Sequence, residues 1–231
     1  MAISKTHYEL LRTLRERGAL PLGEPILEIG QANFYGDFDP RDMLPDIERF
    51  VTDKDRRDTL TGMLANISEF TPYGRMVVCE QQQWKGLDQA LLALAQSIYG
   101  ILFNTTSPTH AIDLIGESTL KHDLNHPVQG LATYSTVINH GTAEHIFNIG
   151  QVFRTMHDAT RPGGLMIHES PFTGWIDHGF YCLQPTLFYD LAAANGYSIE
   201  LMAIEHLASR SVIHINDRGD FAELARRDQL P

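Results

Sequence analysis

Apolar residues recur along this chain at two spacings, one helical and one extended. Near the start, Tyr8, Leu11 and Leu14 share a helical face, and the Arg17-Gly18 pair after them reads as a stop. A proline-bracketed turn, Pro21 to Pro25, leads into Ile26-Leu27-Glu28-Ile29-Gly30. That run is short, apolar, β-branched and closed by glycine, the pattern of a buried strand in a parallel sheet. From Gln31 to Pro108 the chain shows helical pieces around 47–50, 60–67 and 87–98 and one short apolar run, Met76 to Cys79. The last helical piece is the clearest, because Leu87, Leu91, Leu94, Ile98 and Leu102 form an apolar stripe at steps of three and four.

The second half alternates. His110 to Ile115 reads as the second strand, a short segment around Lys121 to Leu124 as the third, and Tyr134 to Asn139 as the fourth. A helix is expected from about Ala143 to Asp158, then a Pro162-Gly163-Gly164 turn into a fifth strand, Leu165 to His168. Pro185 suits a first helical residue, and Asn195-Gly196 suits the left-handed cap that ends the helix. Tyr197 to Glu205 and Ser211 to Ile215 read as two closing strands.

Length and charge narrow this picture. With 231 residues, 43% of them hydrophobic, the chain supports one substantial core, and a single domain over 1–231 is expected. Residues 1–24 and 37–108 would form a helical cap or lid within it. The opening stretch mixes Lys5, Glu9, Arg12, Arg15 and Glu16 with its leucines, unlike a signal peptide. No run matches a membrane span, so a soluble, cytoplasmic protein is expected. A formal charge of −11 repels phosphate backbones and anionic lipid, which argues against nucleic acid and membrane as partners and leaves a small-molecule substrate. Cys79 and Cys182 stand apart without metal or redox spacing. Nothing in the sequence fixes the oligomeric state.

Alternating strands and helices place a ligand beyond the carboxyl ends of a parallel sheet, so polar residues closing each strand matter most. At the first strand, Glu28 can accept from an ammonium group, and Gly30 lets the backbone approach a ligand. Asp113, near the end of the second, can accept both hydroxyls of a ribose. Asp123 and Asn125 follow the third, in reach of an adenine edge.

Taken in order, Glu28-Ile29-Gly30, Asp113, Asp123-Leu124-Asn125, Ile138-Asn139-His140-Gly141-Thr142-Ala143-Glu144-His145 and Arg161-Pro162-Gly163-Gly164-Leu165 resemble the landmarks of class I S-adenosylmethionine-dependent methyltransferases. The resemblance covers roughly Pro25 to Ile215. It implies a Rossmann-like fold, a seven-stranded mostly parallel sheet, with S-adenosyl-L-methionine as cofactor. Cofactor contacts would come from Glu28, Gly30, Asp113, Asp123, Leu124 and Asn139. One departure stands out: two further closely spaced glycines usually continue the first motif, whereas Gln31-Ala32-Asn33-Phe34-Tyr35 precede Gly36 here. The helix that normally follows is replaced by the long insert. A dinucleotide is disfavoured, because G-x-G-x-x-G is absent and the ribose acid lies far beyond the usual distance of about 20 residues.

His140, His145, His168 and His178 gather at the same expected sheet edge. None of these pairs has chelating helix spacing and no cysteine joins them, so no metal is expected. A histidine titrating near neutrality suits proton removal or substrate hydrogen bonding. The aromatic segment from Ser170 to Tyr181 lies where such folds build an acceptor pocket, with Trp175, His178 and His145 as lining candidates. Three functions fit: methyl transfer to a small molecule, self-cyclisation of the cofactor as in azetidine-2-carboxylate synthases, and cofactor binding without catalysis. For the cyclase, Asn139 would hold the amine or carboxylate, and Trp175 or Tyr181 would steady the sulfonium. The catalytic candidates are therefore Asn139, His140, His168 and Tyr181.

Overall fold

The short apolar runs of the first 169 residues become one parallel sheet, and the segment between its first two strands becomes a helical layer with a hairpin. The computed structural model describes residues 2–80, 84, 86–115, 118–227 and 230. In chain order it contains β1 (Ala2–Ile3), α1 (Lys5–Glu16), β2 (Ile26–Ile29), β3 (Asn33–Phe34), α2 (Leu44–Phe50), α3 (Lys54–Ala65), β4 (Ile67–Thr71), β5 (Met76–Cys79) and α4 (Leu87–Leu102). Then come β6 (His110–Asp113), β7 (Leu120–Lys121), β8 (Tyr134–His140), α5 (Ile149–Ala159), β9 (Thr160–Glu169), α6 (Pro185–Asn195), β10 (Ala203–His206), β11 (Ser211–His214) and α7 (Arg218–Arg226). The chain divides into two compact units, Met1–Glu169 and Ser170–Pro231, where the sequence pattern reads as one domain.

The central sheet has five strands in the order β7-β6-β2-β8-β9, every neighbouring pair parallel. The chain steps outward from β2 through β6 to β7, then returns to the other side of β2 with β8 and β9. The direction of winding thus reverses between β2 and β8, the topological position at which open α/β sheets carry their ligand sites. Ile26, Leu27, Glu28 and Ile29 are each no more than 1% exposed, as a strand covered on both faces requires.

Register assigns the faces. Glu28 pairs with Ala111 and Ile138, and His140 with Glu169, so Glu28, Asp113, His140 and Glu169 share one face. Leu27, Ile29, Ile112, Val137 and Asn139 take the other, where Val152 and Met156 of α5 complete an apolar core. On the Glu28 face, α4 carries Tyr99 inward, and β3, β5, α1 and α2 pack against that helix. The α4 stripe holds from Leu94 onward, but Ala95, Ser97, Tyr99, Gly100 and Ile101 are buried too. The latter half of this helix is therefore enclosed all round. Among the described residues no helix is long and apolar enough to cross a membrane.

Several expectations need correction. The seven-stranded sheet is not found: β10 and β11 pair with each other, antiparallel, in a sheet of two. The Met76–Cys79 run pairs with β4 as a separate hairpin. The helix expected from Ala143 begins only at Ile149, after a 3-10 turn at Ala143–His145. Asn139 causes this delay, since its Oδ1 accepts the N–H groups of Thr142 and Ala143 and holds the chain in a turn. In the second unit, α6 starts at Pro185 and stops at Gly196 in the left-handed conformation, as its sequence signals require. There α6 packs on α7, and Phe172 meets Phe221 edge-on at 5.9 Å.

The unusual loop after β2 also finds its explanation. Asn33–Phe34 is a strand, β3, that pairs in parallel with β1, and Tyr35 N donates to Ile3 O at 2.9 Å. Gly36 closes the loop with φ +82°, and a Cβ there would lie 2.1 Å from Gly74 N. Glycine is required at this point by both conformation and space.

Candidate functional site at the strand ends

At the end of β2, Gly30 turns the chain with φ 76°, and its N–H donates to Ile112 O at 2.8 Å. Asp113 closes β6 and bridges two loops: Oδ2 accepts from Gln31 N at 3.0 Å and Oδ1 from Ile115 N at 3.3 Å. A carboxylate has about four lone-pair positions, so acceptor capacity remains. Gly30 and Asp113 therefore stand together where the sequence places them.

Glu28 faces a different environment from the one expected. Its Oε1 accepts from Tyr99 Oη at 2.7 Å and its Oε2 from Thr109 Oγ1 at 3.0 Å, deep beneath α4. Gln96 fixes Thr109 in turn, donating from Nε2 to Oγ1 and accepting from Thr109 N. Burial pushes the Glu28 carboxyl up to about 7, against the downward pull of these hydroxyls and of Ala32 N–H. An ammonium group would have to compete with partners already in place. Asp123 binds Asn125 through its backbone and side-chain N–H, and those bonds lower its pKa. Asn125 Oδ1 and O then accept from Asn148 N and Nδ2, tying this turn to the start of α5. The Leu124 side chain is buried in the core beside Leu27 and Val137.

Asn139, fully buried, spends its amide on the fold. Besides holding Thr142 and Ala143, it donates from Nδ2 to Glu169 O at 3.2 Å. Thr142 Oγ1 in turn donates to Ile29 O, fastening the turn after β8 to the end of β2.

Of the four histidines expected together, His140 and His168 fall on opposite faces of the sheet. His168 lies on the α5 face, its ring 5.2 Å from Phe153, and burial pushes it down to about 4. His145 is exposed on the 3-10 turn. Trp175, His178 and Tyr181 belong to the second unit, where Trp175 is 40% exposed and its ring lies 4.6 Å from that of His178. His140 instead gains two partners absent from the expected set, His7 and Glu169.

His7 Nε2 lies 2.8 Å from Glu169 Oε1, and His140 Nδ1 lies 3.2 Å from Glu169 Oε2. The His7 and His140 rings are 5.5 Å apart. His7 is the third helical residue of α1, in a capping box with Ser4, whose N–H donates to His7 Nδ1 at 3.0 Å. A nitrogen that accepts carries no proton, so neutral His7 holds its proton on Nε2 and donates it to Glu169. By the same reasoning His140 donates from Nδ1, leaving a lone pair on Nε2. That atom is buried with no hydrogen-bond partner among the described residues. Burial lowers the His140 pKa, outweighing the opposing pull of Glu169. Burial alone would raise the Glu169 carboxyl, but attraction to His7 whenever that ring is protonated and hydrogen bonds from both imidazoles bring it down to about 2. Nearby, Glu144 is 1% exposed, and burial raises it to about 7.

Ligand atoms of His7, His140 and Glu169 lie within 4.8 Å of one another, a spacing that can hold a metal ion. Coordination through His7 Nε2 would require that atom to give up its proton, and Ser4 N–H already occupies Nδ1, the other place for it. The observed contacts are those of a carboxylate between two imidazole donors. Glu169 was within reach of sequence reasoning, because it closes β9 as Asp113 closes β6. His7 carried no such signal, since only the packing of α1 brings it to the sheet. The chain matches no protein-family model, and no curated protein matches it.

Proposed function

We propose that this chain is an S-adenosylmethionine-dependent methyltransferase of class I architecture acting on a small molecule. The observation that carries the reading is the sheet order β7-β6-β2-β8-β9, with Gly30 and Asp113 at the carboxyl ends of adjacent strands beside the winding reversal. Such a position is where open α/β sheets bind nucleoside-containing ligands. The residues fit that cofactor: Gly30 has no side chain to block approach, Asp113 retains lone pairs for ribose hydroxyls, and His140 Nε2 is a buried acceptor in want of a donor. When bound, the cofactor supplies an electrophilic carbon beside a sulfonium. The protein aligns the nucleophile with that carbon, excludes water and takes a proton. Asn139 and Thr142 contribute by fixing the turn after β8 rather than by touching the reacting atoms.

A second reading, cyclisation of the cofactor by its own amine, draws support from the loop after β2. The β1–β3 pairing and Gly36 reshape the place where glycines usually cradle the methionine end. Product analysis separates the two. Methyl transfer leaves S-adenosylhomocysteine and needs an acceptor, whereas cyclisation leaves methylthioadenosine from cofactor alone. The purified protein incubated with cofactor alone is expected to release no methylthioadenosine above spontaneous decay. Release in proportion to enzyme would replace methyl transfer with cyclisation.

A further inference from the structure

We infer that Glu169, held by His7, positions His140 as the proton acceptor of this site, so that the nucleophile it serves is a protic group, an amine or a hydroxyl. The inference rests on the proposed transferase or cyclase reading for the identity of the electrophile, but its structural part stands without it.

The tautomers follow from the hydrogen bonds in sequence. Ser4 N–H points at His7 Nδ1, which fixes the His7 proton on Nε2 and directs it at Glu169 Oε1. The second carboxylate oxygen accepts from His140 Nδ1. His140 must then present an unprotonated Nε2, a buried acceptor with no donor among the described residues, which is unfavourable. A protic ligand relieves that cost, and an aprotic one does not. In the reaction, the lone pair of the nucleophile forms the bond to carbon and its proton passes to His140 Nε2. The pair from the broken carbon–sulfur bond remains on sulfur, which becomes neutral. The resulting imidazolium is stabilised by the adjacent Glu169 carboxylate, as a carboxylate behind an imidazole generally does.

Among the groups around His140, Glu169 favours a proton on its ring and His7 opposes one. His7 comes from α1 and Glu169 from β9; Tyr99 of α4 and Glu144 both register the Glu169 charge, and Glu28 lies behind Tyr99.

The test reads the tautomer directly. In full-length protein labelled with 15N-histidine, ring signals are assigned by loss in the His140→Gln variant. His140 is expected as the Nδ1–H form and His7 as the Nε2–H form. Glu169→Gln is the informative change, because an amide offers one acceptor and one donor where the carboxylate offered two acceptors. His7, fixed by Ser4, takes the carbonyl; the amide N–H then faces His140 Nδ1 and drives its proton to Nε2. The expected result is a reversal of the His140 tautomer in a folded protein, a change that a merely space-filling Glu169 would not produce. An Nε2–H form in the unmodified protein or an unchanged tautomer in Glu169→Gln overturns the inference. Failure of the unmodified protein to bind S-adenosylmethionine would instead refute the transferase and cyclase readings and leave the tautomer result to decide the positioning on its own.

Discussion

Replacing Glu28 by Gln should flatten the pH dependence of stability between about pH 4.5 and pH 7. Glu28 is 1% exposed, and burial lifts its carboxyl from 4.5 to about 7 despite the Tyr99 and Thr109 hydroxyls. The folded chain therefore holds this proton more tightly than the unfolded chain. Below the unfolded pKa both states are protonated and the stabilisation is complete. As pH rises, the unfolded state ionises freely and stability is lost until the folded pKa is passed. At 1.36 kcal/mol per unit, a rise from 4.5 to about 7 corresponds to a loss of about 3 kcal/mol. Glutamine, of the same shape and always neutral, removes this contribution. Glu144 slopes in the same direction, and His168, pushed down to about 4, slopes in the opposite one. The difference between variant and unmodified protein cancels both. Urea denaturation at stepped pH measures it: the two curves should diverge by about 3 kcal/mol from acid to neutral pH. Parallel curves would mean that Glu28 ionises as easily in the folded state as in water, and the account of its burial would be wrong.

Further consequences concern the turns that build the site. Asn139→Ala should destabilise the fold by about 2–4 kcal/mol in urea denaturation, because the buried N–H groups of Thr142 and Ala143 lose their acceptor; a loss under about 0.5 kcal/mol would contradict its role in holding the turn. Gly36→Ala should lower the thermal midpoint, since a methyl group at φ +82° meets Gly74 backbone at 2.1 Å; an unchanged midpoint would show that this loop yields.

How far the sequence revealed this molecule differs between its elements. The run Ile26–Ile29 is apolar on both faces apart from Glu28, and its continuous pattern marks a central strand without reference to any partner. Pro185 and Gly196 fixed both ends of α6, because each acts on its own backbone. Pairing is different in kind: Tyr197 to Glu205 and Ser211 to Ile215 look like strands, but local pattern does not say that they pair with each other rather than join the main sheet. The helix expected at Ala143 was displaced by one buried side chain, Asn139, whose bonds to Thr142 and Ala143 outweigh propensity. Within the site, Asp113, Asn139 and His140 were legible from their positions at strand ends. The turning of Glu28 toward Tyr99, the separation of His168 from His140, and the arrival of His7 depend on face assignment and helix packing. Neither is written in spacing along the chain.

The central claim is that the site at the ends of β2, β6 and β8 binds S-adenosylmethionine. Isothermal titration calorimetry of the full chain with S-adenosylmethionine, alongside Asp113→Ala, tests it most directly. Asp113 bridges Gln31 and Ile115 with lone pairs to spare for a ribose, so saturable binding is expected in the unmodified protein and a loss of at least tenfold in the variant. Binding that is absent, or that is equally tight without the Asp113 carboxylate, would contradict it.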